Sequence, residues 1–407
     1  MIKFQRRRYR FRQAVVLGLV FFLSGLTAAA SGAGSQLDRL LGKNDAALVT
    51  SCRDGRVLYA RQADLPLIPA SIIKIITSLA SFEYLGEDYR FETGFYLTPA
   101  GDLVIKGHGD PGFTSREIAR AAAGVSRTVE TIEDIIVDDS FFAAVRIPGR
   151  SVPSLQPYDA PNGALCANFN TVAFSREDGR FHSTEPETPL LPFAEKRLRK
   201  TPLDRGRVLL INHQDRTADY AGRLFAWFFV SQGGAVSGQV RPGRVDPVRD
   251  RLIYRHQSGL TLKDTVARMM RFSNNFTANQ LLLACGARRS GPPGTLAKGL
   301  EALQGYLETS LGIKNACLEE GAGLSRKNRL TAVMMDKALA AFQPYHTIMR
   351  QEDGDYHKTG HLNGVSTRAG YISGPDGLAA RYVIMINTPG RTADRLMPAV
   401  RQLARNR

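Results

Sequence analysis

Hydrophobic and polar positions near the start of the chain predict a β-hairpin followed directly by a core helix. Two β-type runs, 46–51 and 57–60, flank Asp54-Gly55, and an Asp-Gly pair between such runs is typical of a tight hairpin turn. Apolar residues then recur at helical spacing over 72–85. This periodicity predicts a helix of about four turns packed in the core.

The second half of the chain is dominated by helical periodicity and ends in another hairpin. The β-type runs 366–372 and 379–387 flank the turn Gly374-Pro375-Asp376-Gly377. Because hairpins open and close the chain, with helices between them, we expect an α/β (α+β) fold whose antiparallel sheet is completed by both chain ends. The predicted helices lie at 261–270, 276–284, 294–311, 331–342 and 392–404.

The middle of the chain differs from both ends. Between 93 and 245, short β-like runs alternate with loops rich in Gly and Pro, and helical segments occur near 115–123 and 217–232. We interpret this stretch as an inserted α+β domain. The predicted division is an N-terminal segment at 1–30, a main domain formed by 36–92 and 246–407, and an inserted domain at 93–245.

The N-terminal segment resembles an export signal. A basic stretch at 1–12 precedes an apolar run at 14–30, and Ala28-Ala29-Ala30 offers the small residues of a cleavage site. A removable signal peptide and a retained N-terminal anchor both fit this pattern, since about 17 apolar residues is the minimum span of a membrane. We therefore expect a periplasmic or otherwise extracytoplasmic protein.

The N-terminal segment contributes part of the net charge of +16. Six of these charges lie in residues 1–12, which leaves +10 for the rest of the chain. The remaining basic residues are scattered and form no nucleic-acid motif, so we predict no nucleic-acid partner. An anionic wall polymer or a membrane surface is a more plausible partner for an exported basic protein, and simple solubility charge explains the value equally well.

The four cysteines, Cys52, Cys166, Cys285 and Cys317, are widely spaced, without a Cys-x-x-Cys pair. This spacing excludes zinc-ribbon and thioredoxin-type sites. Export permits disulfides, and four cysteines allow three pairings, so both paired and free thiols remain compatible with the sequence.

A Ser-x-x-Lys motif, Ser71 to Lys74, lies at the start of the first predicted helix. Residues three apart share a helix face, so the hydroxyl and the amine can meet. A buried lysine is driven towards its neutral form, and a neutral amine beside a hydroxyl is a general base beside a nucleophile. The alternative is a lysine whose stem packs in the core while its amine reaches water.

Two further motifs follow in order. Ser273-Asn274-Asn275 lies between two predicted helices, and Lys358-Thr359-Gly360 precedes a β-type run. Ser-x-x-Lys, Ser-x-Asn and Lys-Thr-Gly in this order are typical of penicillin-binding proteins and class A β-lactamases. Ser71 and Ser273 are 202 positions apart, a much longer interval than class A β-lactamases have.

On these motifs, the chain resembles the D-alanyl-D-alanine carboxypeptidase/endopeptidase family of low-molecular-mass class C penicillin-binding proteins, typified by penicillin-binding protein 4. The resemblance implies a penicillin-binding, β-lactamase-like fold, an antiparallel sheet with helices on both faces, and a domain inserted between the first two motifs. The resembling stretches are 69–77, 107–111, 138–140, 273–280, 321–326 and 358–371.

The resemblance also implies roles for the motif residues. Ser71 is the nucleophile, Lys74 accepts its proton, and Ser273 relays a proton to the leaving amine. Asn275 orients Lys74 and binds the substrate amide, and Lys358 supplies a positive field that keeps Lys74 neutral and attracts the substrate carboxylate. Alone, Ser273 also fits a helix cap, Asn275 a loop hydrogen bond and Lys358 a solvated strand lysine.

The third motif contains the substrate-binding candidates Thr359, Gly360 and His361. The resemblance implies that Thr359 binds the terminal carboxylate, and that the backbone N–H groups of Ser71 and His361 form the oxyanion hole. Thr359 alone would fit simple β-propensity, whereas Gly360 permits close approach of a substrate backbone. The family usually has Ser or Thr after Lys-Thr-Gly, so His361 removes a hydroxyl that helps to bind carboxylate.

We predict no metal and no cofactor. His357 and His361 are four apart and share a face of the predicted strand, but no third ligand is evident nearby.

The resulting hypothesis is an exported serine D,D-peptidase. It would act as a carboxypeptidase, an endopeptidase or both on peptidoglycan stem peptides, and would be acylated by penicillin and other β-lactams. The alternatives are a catalytically impaired protein that binds peptidoglycan or penicillin, and a β-lactamase or esterase on the same fold. Association with a membrane surface is compatible with the charge, and the sequence leaves the oligomeric state open.

Overall fold

A computed structural model describes residues 32–151, 154–211 and 216–405. The predicted N-terminal signal or anchor therefore lies outside the described residues. Within the described ranges, every helix is too short or too polar to span a bilayer.

Sixteen β-strands are present in these ranges. They are β1 (Asp45–Ser51), β2 (Val57–Arg61), β3 (Glu92–Leu97), β4 (Leu103–Gly107), β5 (Thr131–Ile132), β6 (Ile135–Asp138), β7 (Thr171–Glu177), β8 (Arg180–Ser183), β9 (Arg205–Leu209), β10 (Ala235–Val236), β11 (Val240–Pro242), β12 (Arg251–Gln257), β13 (Arg350–Glu352), β14 (Asp355–Leu362), β15 (Val365–Gly374) and β16 (Gly377–Ile386).

Ten α-helices accompany them in the part of the chain that the structure describes. They are α1 (Gly32–Leu40), α2 (Lys74–Leu85), α3 (Ser115–Val125), α4 (Pro192–Leu198), α5 (Asp219–Ser231), α6 (Leu262–Phe272), α7 (Asn275–Ser290), α8 (Leu296–Ser310), α9 (Ala332–Phe342) and α10 (Met397–Arg405).

The main sheet contains both predicted hairpins in one antiparallel array. Its strand order is β13-β14-β15-β16-β1-β2, so β1 pairs directly with β16 near the other end of the chain. Side chains alternate between the two faces of a strand, and both faces of β1 are covered. Ala46 and Leu48 pack into the core with α2 and α9, whereas Ala47 and Val49 pack with α1 and α10. The predicted fold class is confirmed.

The helix α2 lies at the centre of the main core. Its residues from Lys74 to Phe82 are all buried, and α7 packs against it. The predicted helix at 72–85 does not begin as an α-helix, because Ala70–Ile73 form a 3₁₀ turn that leads into α2. Ala70, at the start of this turn, has the left-handed φ of 47°.

The inserted segment has its own core. A five-stranded sheet with the order β11-β6-β4-β3-β12 is covered by α3 and α5, and a three-stranded sheet β8-β7-β9 lies alongside. The strand β12 pairs with β3 although it lies after the predicted boundary at 245. The predicted boundary at 245 therefore assigns β12 to the main domain, although β12 is hydrogen-bonded to the sheet of the inserted segment.

All four cysteines are free thiols. Cys166 and Cys285 are buried, Cys52 is half-buried and Cys317 is exposed. Burial raises the pKa of the Cys285 thiol to about 12, so this group behaves as a small apolar side chain.

Candidate active site

Ser71 lies on the 3₁₀ turn directly before α2, and Lys74 is the first residue of that helix. Two glycines pack against the turn from either side. A Cβ on Gly323 would lie 2.0 Å from the carbonyl oxygen of Ala70, and a Cβ on Gly360 would lie 2.6 Å from the backbone nitrogen of Ser71. Only glycine permits these approaches, so both segments fix the position of the serine.

The amine of Lys74 is fully buried and contacts three oxygens. Nζ lies 2.9 Å from Ser71 Oγ, 2.8 Å from Asn275 Oδ1 and 2.5 Å from the carbonyl oxygen of Ala322. Asn275 and Ala322 provide acceptors for both N–H groups of a neutral amine, which leaves the amine lone pair for the Ser71 hydroxyl proton. The alternative of a lysine that reaches water is wrong, because its side chain is 0% exposed.

The electrostatic surroundings favour the neutral form of this amine. Burial lowers the pKa of Lys74 well below its usual range, and the positive charge of Lys358 lowers it further, whereas Glu320 acts in the opposite direction. A neutral lysine within hydrogen-bond distance of a serine can act as a general base.

The turn between α6 and α7 carries the second motif. Ser273 ends α6 in the left-handed conformation, with φ 53° and ψ 38°, and Asn274 caps α7 by accepting a hydrogen bond of 2.9 Å from the backbone of Thr277. Asn275 therefore begins α7, and its side chain points to Lys74. The helix cap in this motif is Asn274, and half-buried Ser273 lies in the same turn.

The third motif lies on β14, along an edge of the main sheet. The pairing of β13 with β14 extends only to His357, so beyond that residue this edge is next to the turn that carries Ser71. Lys358 is 3% exposed, and its Nζ donates to the carbonyl of Thr359 at 2.6 Å. Burial lowers the pKa of Lys358 to about 8. Thr359 is half-buried and His361 is exposed.

A buried carboxylate, Glu320, organises the loop that supplies the Ala322 carbonyl. It accepts six hydrogen bonds, four from backbone N–H groups and two from side-chain amides. The backbone donors are Ala322, Gly323, Leu324 and Ser325, and the side-chain donors are Asn279 and Asn328. Sequence reasoning missed this residue, although an acid directly before Gly321-Ala322-Gly323 signals a carboxylate able to cap a turn.

The two histidines near the third motif, His357 and His361, lie too far apart to bind one metal ion together. Four residues of strand correspond to about 13 Å, too far for both rings to bind one ion. His357 is buried, with Nδ1 3.1 Å from Nη2 of Arg368, and burial and this arginine lower the pKa of His357 to about 4. Among the described residues, no three His, Cys, Asp or Glu side chains form a metal-binding group.

Comparison with known proteins finds a matching family and several relatives. The sequence profile of the D-Ala-D-Ala carboxypeptidase 3 (S13) family matches residues 28–189 and 207–353. A D-alanyl-D-alanine carboxypeptidase of Actinomadura sp. is 26% identical over 419 residues, covering 83% of this chain and 76% of the relative.

Two solved structures share the fold. Penicillin-binding protein 4 of Haemophilus influenzae superposes with a TM-score of 0.73 at 18% identity, over 91% of this chain and 98% of that one. A predatory endopeptidase of Bdellovibrio bacteriovorus, acylated by penicillin G and bound to an immunity protein, has a TM-score of 0.50 at 16% identity. This match covers 88% of this chain and 90% of that one.

Proposed function

This chain belongs to the D-Ala-D-Ala carboxypeptidase 3 (S13) family of serine peptidases, and on that premise we propose an acyl-serine D,D-peptidase that acts on peptidoglycan stem peptides. The observation that carries this proposal is the fully buried Lys74 amine, 2.9 Å from the Ser71 hydroxyl. Burying an amine is costly, and a serine nucleophile requires a base beside it.

Acylation begins when Ser71 Oγ attacks the carbonyl carbon between the two D-alanines. The hydroxyl proton passes to Lys74 Nζ as the new C–O bond forms. The C–N bond then breaks, and the leaving D-alanine nitrogen takes a proton, which Ser273 relays from Lys74. The products are an acyl-enzyme and free D-alanine, and Lys74 is neutral again.

Deacylation uses the same groups in the opposite direction. Water loses a proton to Lys74 and attacks the ester carbonyl, and the Ser71 oxygen leaves with that proton. Negative charge on the carbonyl oxygen is stabilised in both steps by the backbone N–H groups of Ser71 and His361.

The two active-site lysines have different charge states in this mechanism. Lys358, with a pKa of about 8, is mostly protonated at neutral pH, whereas burial favours the neutral form of Lys74. The charge on Lys358 therefore attracts the terminal carboxylate of the substrate and opposes protonation of Lys74. Thr359 adds a hydroxyl donor for the carboxylate.

The relatives support two modes of use. The Actinomadura relative is named a D-alanyl-D-alanine carboxypeptidase, and the Bdellovibrio protein an endopeptidase that penicillin G acylates. We extend both to this chain: release of terminal D-alanine, cleavage of cross-links, and covalent acylation by β-lactams. The basic and apolar pattern of residues 1–30 supports export to the periplasm or cell exterior.

Labelling with fluorescent penicillin tests the mechanism. We expect covalent labelling of the purified chain, located at Ser71 by mass spectrometry and abolished by Ser71→Ala. Absence of labelling in the wild-type protein would overturn the acyl-serine mechanism.

Mass analysis of digested muropeptides tests turnover. Release of D-alanine or of cross-linked dimers is expected from the wild type and not from Ser71→Ala. Labelling without either product would identify a binding protein that no longer turns over, and rapid loss of the penicillin label would identify a β-lactamase.

A further inference from the structure

A cleft of about 460 Å³ lies in the inserted segment, between α4 and α5. Its floor is formed by apolar and aromatic side chains, among them Phe193, Ile211 and Tyr220. Its rim is basic. The charged residues that line it are Lys196, Arg197, Lys200, Arg216, Arg223 and Asp219.

The positive charge of this cleft is only slightly compensated. Asp219 is 3.2 Å from Arg216, and for the other four cations the structure shows no ion pair within its described ranges. Nε of Arg197 and Oδ1 of Asp219 are buried without a hydrogen-bond partner there. Because Lys196, Arg197 and Lys200 line the cleft within five residues of sequence, the cleft concentrates like charges that an anionic surface would stabilise.

The helix α5 extends this surface with exposed apolar groups. Trp227 lies four residues after Arg223, and Val230 lies seven residues after Arg223, so all three share one helix face. Trp227 is 46% exposed and Val230 is 52% exposed. A tryptophan beside exposed cations is typical of surfaces that sit at a membrane–water interface, where the ring enters the headgroup region and the cations meet lipid phosphates.

We propose that the face formed by Lys196, Lys200, Arg223, Trp227 and Val230 docks on an anionic phospholipid membrane. Charge complementarity carries the choice of an anionic partner. The choice of lipid over a soluble polyanion follows from Trp227 and Val230, since a hydrated polymer offers no apolar phase for them.

This docking surface is separate from the catalytic machinery. The helices α4 and α5 that carry it pack on the core of the inserted segment, whereas Ser71 and Lys74 lie among residues of the main core, such as Ile72, Ile73 and Ile75. The proposal relies on the export proposed above only for the location of the membrane. Acylation by penicillin and docking on lipid are therefore measured, and can fail, independently.

Intrinsic fluorescence tests the proposal directly, because Trp227 is the single tryptophan of the chain. The full chain is mixed with vesicles of pure phosphatidylcholine or with vesicles containing phosphatidylglycerol. We expect the emission of Trp227 to shift to the blue only with the anionic vesicles, and the shift to weaken in high salt. Binding through residues 1–30 alone would leave Trp227 in water, so the emission of Trp227 distinguishes that contact from docking of the proposed face.

Other outcomes would overturn the proposal. No blue shift with anionic vesicles, or an equal shift with neutral ones, would exclude a charge-selective lipid surface. A soluble polyanion such as poly(glycerol phosphate), if it competed with the vesicles and itself produced the same shift, would identify a polymer-binding cleft instead.

A charge-deleting variant and its matched control complete the test. Lys196→Gln combined with Lys200→Gln should raise the lipid concentration at half-maximal shift roughly 30-fold. Arg244→Gln combined with Arg249→Gln removes two exposed charges of the same segment outside the cleft, and should change it little. Both variants should retain penicillin labelling, which shows that they fold. Equal effects of the two variants would indicate non-specific attraction and overturn the proposed surface.

Discussion

The amine of Lys74 lies 2.8 Å from the amide oxygen of Asn275, although 201 residues separate them in the chain. The inserted segment occupies most of that interval. Its fold must therefore bring its two ends close enough together for this hydrogen bond to form. This contact joins the first motif to the second and fixes the direction of the lysine lone pair.

Loss of this contact should slow acylation. Asn275→Ala leaves one N–H of Lys74 unpaired in a buried site, which costs about 1–3 kcal/mol, or roughly ten- to hundred-fold in rate. The measurement is the second-order rate constant for labelling by fluorescent penicillin. Asn44→Ala, at an exposed turn, is the control. An unchanged rate in Asn275→Ala would show that the amide does not orient the base.

The pH dependence of acylation should be bell-shaped. Lys74 must be neutral, so the rate falls as pH decreases through its lowered pKa. Lys358 must be charged, so the rate also falls as pH rises above about 8. Labelling rates measured between about pH 5 and 10 should therefore decline on both sides of a maximum.

Lys358→Arg isolates the alkaline limb of this profile. Arginine keeps its charge throughout the range, so the decline above pH 8 should disappear even if the maximum rate is lower. Persistence of the decline in this variant would assign it to another group. A flat profile of the wild type between about pH 5 and 8 would contradict Lys74 as the base.

Glu320→Gln should affect both stability and the acid limb. One carboxylate oxygen becomes an NH₂ group facing at least two N–H donors, which should lower the free energy of unfolding by about 1–3 kcal/mol. Removing the negative charge also removes the effect that raises the pKa of Lys74, so the acid limb should move to lower pH.

The neighbouring substitution Glu319→Gln is the control for this prediction. Glu319 accepts a hydrogen bond from Ser325 in the same loop but is not among the groups that shift the pKa of Lys74. Urea unfolding and the pH profile of penicillin labelling are measured for both variants. A lower rate in Glu320→Gln with an unmoved acid limb would mean that the carboxylate only supports the loop.

Gly360→Ala should slow acylation by roughly 10²-fold, because its methyl group would lie 2.6 Å from the backbone nitrogen of Ser71 and displace the nucleophile. The second-order rate constant for penicillin labelling measures the effect. Gly305→Ala adds the same methyl group within α8, where its nearest neighbour is 3.5 Å away, and should leave the rate unchanged. A wild-type rate in Gly360→Ala would mean that the strand can withdraw from the serine without consequence.

Short-range patterns predicted much of the fold and most of the site. The Asp54-Gly55 turn, the helix periodicity after Ile72 and the final hairpin all lie within windows of about 20 residues, and the structure reproduces them. The three motifs were recognisable because their chemistry requires particular residue types at fixed short spacing. That the three motifs form one site was implied by the resemblance to the family, not by the pattern.

Long-range pairing was beyond the sequence. Nothing within Arg251–Gln257 shows that its partner is Glu92–Leu97, and this is why the predicted boundary at 245 excluded that strand. Glu320 escaped notice for a similar reason. One of its six donors, Asn279, lies on α7, 41 residues away in the chain, and only the convergence of all six makes Glu320 the centre of a buried hydrogen-bond network.

The strand β13 covers only the first part of β14, and this affects how a substrate can bind. Because its pairing with β14 ends at His357, the strand from Lys358 to Leu362 keeps main-chain donors and acceptors on the side of the nucleophile. An extended peptide laid along this edge would join the sheet as an additional strand, with its scissile bond held beside Ser71. Such β-augmentation recognises the peptide through its main-chain hydrogen bonds. Selectivity for particular side chains must then come from surfaces beyond the sheet.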